Sequence, residues 1–433
     1  MKGSRWWFWA GETKAEPAGD PYGWFRRAFW LMGGSGIRLI LSGAYFILLA
    51  RLLEPSQFGL FSGIAAGCNL IAPFAFLGQS DGLIQRLSRH PEQHPWAWGN
   101  ALLIASVGGV GLLGALSLPL SLWLQVDPVT VLALGWAEMV VVGWQEVQKG
   151  VLVAREQIKE VALIDVGMAL GRLLSVLLGE GSLSSWAIHY ALILAGVAGL
   201  TQVAMLGWVG WPRWALGKLP GMVREGWDFA VGLAAMKTFT DLDKLLLPVL
   251  ANAAATGFYS AGYRVINFAQ TPVLALLTSS FAEVCRQGSQ GIHAGWGYGR
   301  RLLPWIVGYG GIASLAILLL SWGIPWVLGA AYSQTAQVLR WLSGIVLLEG
   351  MQGLFANLLT GIGQQRLRSR WQLVALTLNG LLNLGWIPLW GWQGAAAATL
   401  FSEILLVGGL GCLIFREYQR AEVQAGQESR RDP

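Results

Sequence analysis

The sequence predicts an all-α polytopic membrane protein, with about twelve transmembrane helices in two pseudo-symmetric six-helix bundles. Three observations predict it. The 433 residues are 54% hydrophobic and only 12% charged, with a mean hydropathy of +0.51, whereas soluble domains carry roughly 25% charge. The segments joining the apolar runs alternate between Lys/Arg-rich and Lys/Arg-free. The chain also repeats itself: Arg38, Ser42 and Tyr45 share the spacing of Lys237, Asp241 and Lys244, each set preceded by a glycine (Gly33, Gly232). Gly59–Gly63 (GLFSG) then answers Gly257–Ala261 (GFYSA), and Asn69 answers Asn267. The offset is 199 residues before the first hairpin turn and 198 after it.

Windows of about 20 apolar residues mark spans. They fall near 29–52, 58–84, 99–124, 129–150, 160–179, 185–209, 228–250, 255–284, 302–328, 335–361, 370–390 and 394–415. The domain plan is a cytoplasmic segment 1–28, an N-lobe 29–210, a linker 211–226, a C-lobe 227–415 and a cytoplasmic tail 416–433. The linker, WPRWALGKLPGMVREG, mixes Trp, Leu and cations and is expected to lie along the cytoplasmic membrane surface. The polar tail is expected to fray. The apolar run Trp6–Ala10 is too short for the core of a signal peptide.

Charge placement supports the same count. One side of the predicted bundle holds Lys2, Arg5, Lys14, Arg26 and Arg27; Arg86 and Arg89; Lys149, Arg155 and Lys159; and Arg213, Lys218 and Arg224. It continues with Arg286, Arg300 and Arg301; Arg366, Arg368 and Arg370; and Arg416, Arg420, Arg430 and Arg431. The short turns around Glu54, Asp127, Gly181, Asn252, Ala330 and Gly391 carry none, Arg51 and Arg340 being the nearest exceptions. The positive-inside rule then places both termini in the cytoplasm, with an even number of spans. It also explains the net charge of +6 without nucleic acid, because these cations set topology and meet anionic lipid.

Tryptophans near helix ends (Trp96, Trp98, Trp123, Trp208, Trp211, Trp214, Trp227, Trp305, Trp326, Trp371 and Trp390) are expected to anchor in the headgroup region. Glycine clusters around Gly108, Gly310 and Gly409 permit close helix approach and none forms a P-loop. Cys68, Cys285 and Cys412 are isolated, and His90, His94, His189 and His293 lack zinc spacing, so no metal or cofactor is expected.

Charges inside the spans are the informative residues, because each costs several kcal/mol, about 2.5–3.5 on the lowest scale, unless it faces a partner or water. The cations are Arg38, Arg172, Lys237, Lys244 and Arg264; the acids are Glu138, Glu146, Asp165, Asp241, Asp243, Glu349 and Glu403. After the seventh span a break is expected at Ala251–Thr256. Helical spacing puts Lys237, Asp241 and Lys244 on one face with Asp243 pointing elsewhere, and puts Ser260, Arg264, Asn267 and Thr271 on another. One reading makes these charges structural, pairing Lys237 with Asp241 and Asp165 with Arg172. The other lines a hydrated cavity with them, where arginine forks hold phosphate oxygens. On that second reading Arg38, Lys237, Asp241, Lys244, Arg264, Asn267 and Arg172 bind substrate, while Glu138, Glu349 and Glu403 serve ion coupling. Internal duplication is itself a mark of secondary transporters.

Leu48–Arg86 (LLARLLEPSQFGLFSGIAAGCNLIAPFAFLGQSDGLIQR) resembles the second-helix signature of polysaccharide-biosynthesis membrane proteins. These are the O-antigen/oligosaccharide flippases of the multidrug/oligosaccharidyl-lipid/polysaccharide superfamily. Asp241–Val273 resembles their seventh–eighth helix signature. The resemblance implies a V-shaped pair of bundles alternating between inward- and outward-open forms. The cargo it implies is a polyprenyl-pyrophosphate-linked oligosaccharide, with membrane lipids, a polysaccharide polymerase and a chain-length regulator as further partners. Relatives that flip the peptidoglycan precursor carry functional arginines in the first and eighth helices, which Arg38 and Arg264 match; twelve spans favour the capsule/O-antigen/exopolysaccharide branch. The alternatives are a cation-coupled small-molecule exporter, which calls for an acid-dominated cavity, and a non-transporting scaffold of polysaccharide assembly. An integral glycosyltransferase is disfavoured because every loop is short.

Overall fold

A computed structural model describes residues 23–179 and 181–428, and among them every regular element is a helix. Lys2, Arg5, Lys14, Arg430, Arg431 and the run Trp6–Ala10 lie outside the described residues. Helices suit a membrane chain because each satisfies its own backbone polar groups. The elements are α1 (Gly23–Leu52), α2 (Pro55–Ala75), α3 (Gln79–Arg89), α4 (His94–Leu124) and α5 (Pro128–Gly135), then a π-helical segment, Trp136–Val141, leading into α6 (Val142–Ala154). Next come α7 (Ile158–Leu177), α8 (Leu183–Trp208), α9 (Leu219–Leu250), α10 (Ala253–Gly288), α11 (Ile292–Leu320) and α12 (Ile324–Leu328). The chain closes with α13 (Ser333–Leu342), α14 (Ile345–Gly361), α15 (Gln365–Trp390) and α16 (Trp392–Glu428).

Each expected span coincides with a helix or a run of helices: α2 with α3, α5 with α6, α11 with α12, and α13 with α14. Eight stretches are long and apolar enough to cross a membrane, and the pair Ala330–Leu342 and Ile345–Gly361, bent by 44°, makes a ninth. Helices α1, α7 and α9 are not among them: α7 carries Lys159, Glu160, Asp165 and Arg172, and α9 carries the charges from Arg224 to Lys244.

Local chemistry sets the turns. Asp127 caps α5 by accepting from the Thr130 amide at 3.2 Å, with Pro128 suited to the first helical position. Ser182 caps α8, and Asn252 caps α10, accepting from the Ala255 amide at 2.7 Å. That cap corrects the expected break at Ala251–Thr256, for the chain is non-helical only at Ala251–Asn252. The linker is irregular to Ala215 and helical from Leu219. The tail does not fray at Arg416, because α16 continues to Glu428, held by Glu417 contacts and by Tyr418 packed edge-on against His293 at 4.4 Å.

The chain forms two compact units. Unit 1 comprises residues up to Leu48 together with Gly67–Lys237. In it α3 and α4 pack on α6, α5 packs on α8, and α7 packs on α8. Trp98, expected as a surface anchor, is only 1% exposed and belongs to this core, whereas Trp123, Trp211, Trp214, Trp227, Trp305, Trp326 and Trp390 are exposed. The linker docks at Asn100, whose side chain donates to the Ala215 carbonyl (2.9 Å) and accepts from the Ala215 amide (3.0 Å).

Unit 2 comprises Leu49–Ala66 and Thr238 onwards. Its core is α14 between α10, α11 and α16, with α15 against α16. Arg51 and Arg340, the two cations near the otherwise Lys/Arg-free side, are both engaged here. Arg51 donates to the Val327 and Trp326 carbonyls at 2.8 and 3.0 Å. Arg340 lies over the Trp322 ring at 4.0 Å and donates to Ser321.

Candidate functional site: two networks of intramembrane charge

Unit 1 gathers charge from α1, α6 and α7 and from the π-helical segment. Arg38, half exposed on α1, lies 3.9 Å from Asp165 on α7. Asp165 has a second cation, Lys149 on α6, at 3.7 Å, and Lys149 is held more tightly by Glu146 at 2.6 Å. Two turns along α7 from Asp165, Arg172 approaches Glu138 at 3.9 Å. The other oxygen of Glu138 accepts from the phenol of Tyr190 on α8, and the Tyr45 phenol lies within electrostatic range of Arg172. The same-helix pairing of Asp165 with Arg172 is therefore corrected. Both residues reach across to neighbouring helices, where close partners exist at their own heights.

Glu138 sits inside the π-helical segment. Such single-turn widenings concentrate at functional sites. The widening also turns the helix face, so that the acid points at α7 and α8 while Ala137, Met139, Val140 and Val141 remain fully buried.

Unit 2 gathers charge on α9, α10, α14 and α16. Lys244 holds Asp241 at 2.9 Å and Asp243 at 3.8 Å, donates to the Thr240 carbonyl and lies 4.7 Å from the centre of the Tyr263 ring. Asp243, expected to point away, is instead the buried centre of this network at 5% exposure. It accepts from the Tyr259 phenol at 2.5 Å and from the Lys244 amide at 2.7 Å. Thr399 on α16 lies 3.2 Å from the same phenol. Glu349 on α14 is within electrostatic range of Lys244, and Glu403 on α16 within range of Glu349. Glu403 is 3% exposed, and one of its oxygens has no hydrogen-bond partner.

The polar face of α10 grades from closed to open. Ser260 is buried with its hydroxyl unpartnered, Arg264 is half-buried over the Phe58 and Phe61 rings at 5.8 and 5.9 Å, and Asn267 and Thr271 are exposed. Lys237, half-buried, closes unit 1 at the boundary on α9. The structure thus joins Arg38 to Asp165, Arg172 to Glu138, and Lys244 to Asp241 and Asp243. Sequence reasoning missed Tyr190, Tyr259 and Thr399, and named Asp243 only as an acid facing elsewhere. The spacing of Tyr259 and Tyr263, one turn apart on an apolar span, was the available signal for the tyrosine pair.

The family profile described as "Polysaccharide biosynthesis protein" matches residues 25–281. The chain belongs to this polysaccharide biosynthesis protein family. Solved structures share the fold of this chain. An inward-facing multidrug resistance MATE family transporter of the MOP superfamily superposes with a TM-score of 0.70 at 14% identity, covering 90% of this chain and 99% of its own. The lipid II flippase MurJ, in an inward closed conformation, gives 0.68 at 12% identity over 88% and 86%. A MOP superfamily transporter from Pyrococcus furiosus, described by a binding pocket of reverse polarity, gives 0.55 at 16% over 90% and 95%. At such identities the likeness carries the fold, which is that of the MOP superfamily. No curated protein matches the chain in sequence.

Proposed function

We propose that this membrane protein is a flippase. It carries a polyprenyl-pyrophosphate-linked oligosaccharide from the cytoplasmic to the periplasmic leaflet, by alternating access, for cell-surface polysaccharide synthesis. The observation that carries the reading is membership of the polysaccharide biosynthesis family in a chain with the MOP transporter fold. Transport suits the sites, which are ion pairs and phenols inside helices.

A pyrophosphate bearing a hydrophilic glycan does not cross about 30 Å of hydrocarbon unaided. In this reading Arg38, Arg172, Lys237 and Arg264 attract the headgroup, and Asn267 contributes a hydrogen bond from the open face of α10. Arg38 and Arg172 suit the task because their acids stand at 3.9 Å, long for charge-assisted hydrogen bonds. Each acid also keeps a second partner, Lys149 or Tyr190, when its arginine turns to phosphate. Lys244 and Asp241 hold one another and serve the fold of α9 as much as the cargo. Coupling falls to Glu349 and Glu403 before Glu138, which its arginine and tyrosine already occupy. Membrane potential, about 2.3 kcal/mol per charge per 100 mV, would bias the cycle.

The likeness to a multidrug resistance transporter supports a second reading, a cation-coupled exporter of small molecules. Depletion in the native cell separates the two. A flippase leaves lipid-linked oligosaccharide accumulated and shielded from a periplasmic glycan-labelling reagent. An exporter leaves surface polysaccharide intact and raises retention of cationic dyes, an outcome that would sink the flippase reading.

A further inference from the structure

We propose that unit 2 carries a binding site for the headgroup of an anionic phospholipid, separate from the charge networks and independent of the flippase reading. The site is a cavity of about 1070 Å³ where the α10–α11 turn, the α14–α15 turn and the extension of α16 meet. That volume is of small-molecule size, and the cavity is open to its surroundings on one side.

Its chemistry is basic on one wall, with a mixed polar and apolar lining elsewhere in which Ser289, Gln364 and Gln419 stand beside Ile292, Ile362 and Val423. Arg416 and Arg420, one turn apart on α16 and half exposed or more, share a single acid, Glu417, at 3.8 and 2.8 Å. Glu417 is only 14% exposed and is also approached by the Gln364 amide at 3.5 Å. Among the described residues no other charged side chain lines the cavity, so the described wall keeps one positive charge. Helices α11 and α15 both begin there without side-chain caps. Gly291 and Gly363, at φ +111° and +78°, stand just before the first-turn amides of these two helices. Those amides add a partial positive charge, though without the arginine wall and the cavity they would not make a site.

Ile292 and Ile362 supply apolar lining, which a free phosphate would leave unused and a lipid would cover. The position agrees. This end of unit 2 carries Arg366, Arg368 and Arg370 at the start of α15, and α16 leaves its apolar run and passes alongside. Basic pockets between helices at the cytoplasmic membrane surface recognise anionic headgroups in this way.

The test uses the full-length protein purified in detergent, with native mass spectrometry reporting bound lipid. Phosphatidylglycerol is compared with phosphatidylcholine of the same acyl chains, and inorganic phosphate is added as competitor. The site predicts preferential retention of phosphatidylglycerol. Retention should weaken about fivefold per arginine in Arg416→Gln and Arg420→Gln, and persist in Arg416→Lys/Arg420→Lys. Ala421→Trp, which fills the cavity without changing charge, should weaken it as well. Arg300→Gln/Arg301→Gln, which removes the same charge outside the cavity, should not. Variants are compared only when they elute as wild type does. Equal retention of both lipids, unchanged retention in the glutamine and tryptophan variants, or equal loss in the Arg300/Arg301 control overturns the proposal. Displacement of the lipid by millimolar phosphate would make this a soluble-anion site and overturn it too.

Discussion

Asp243 and Glu138 set the terms at the scale of single residues, since each is an acid that only its neighbours make tolerable. Asp243 is satisfied by the Tyr259 phenol, the Lys244 amide and the Lys244 ammonium. Tyr259→Phe deletes one of these donors without changing shape, which leaves a buried acceptor short of a partner and should cost about 1–3 kcal/mol. Unfolding in detergent should record that loss, and Asp243→Asn/Tyr259→Phe should cost less than the two single changes together. Arg172→Met strands Glu138 in the same manner. A second change, Glu138→Gln, should recover part of the lost stability, because removing one partner of a pair is worse than removing both. Equal additive costs in either cycle would show that the contacts are incidental. The cations and most acids of both networks were legible in the sequence, because charge in an apolar span stands out. Their partners were not. Helical spacing says which residues share a face, but the choice of Asp165 by Arg38, or of Asp243 by Tyr259, depends on which helix lies alongside at that height.

Elements bring out a use for the internal repeat that spacing alone did not disclose. Gly59 on α2 and Gly257 on α10 are equivalent positions, as are Pro55 and Ala253 one turn earlier. Within unit 2 these four residues meet reciprocally: a Cβ on Gly59 would strike the Ala253 carbonyl, and one on Gly257 would strike the Pro55 carbonyl. Backbone cannot yield as a flexible side chain can, so two α-helices cross here because neither carries a side chain. Gly59→Val and Gly257→Val should each lower stability by about 1–3 kcal/mol or more through overpacking. Gly111→Ala, on a helix position facing open space, should be neutral or slightly stabilising. A melting comparison of the three variants checks this, and indifference to both valines would refute the crossing. The helix count and hairpin turns were readable from hydropathy and charge. The π-helical segment, the kink between α13 and α14 and the extension of α16 were not, because each is imposed by packing rather than by local composition.

The whole molecule asks for one account of why so apolar a chain keeps charge in its spans. Structural pairing explains Lys244 with Asp241 and Asp243, but it explains Arg38 less well, half exposed beside an acid at 3.9 Å. Recurrence of a cation at the matching place of each repeat, Arg38 and Lys237, is what the proposed anionic cargo would call for. Leaflet-resolved transport in proteoliposomes tests this most directly. A fluorescent polyprenyl-pyrophosphate oligosaccharide is followed with wild type and with Arg38→Ala, Lys237→Ala and Arg264→Ala, each confirmed to be folded. The account predicts transport by wild type and a loss of at least about tenfold in each well-folded variant, the equivalent of about 1.4 kcal/mol. Undiminished transport in all three would make these charges structural and contradict it.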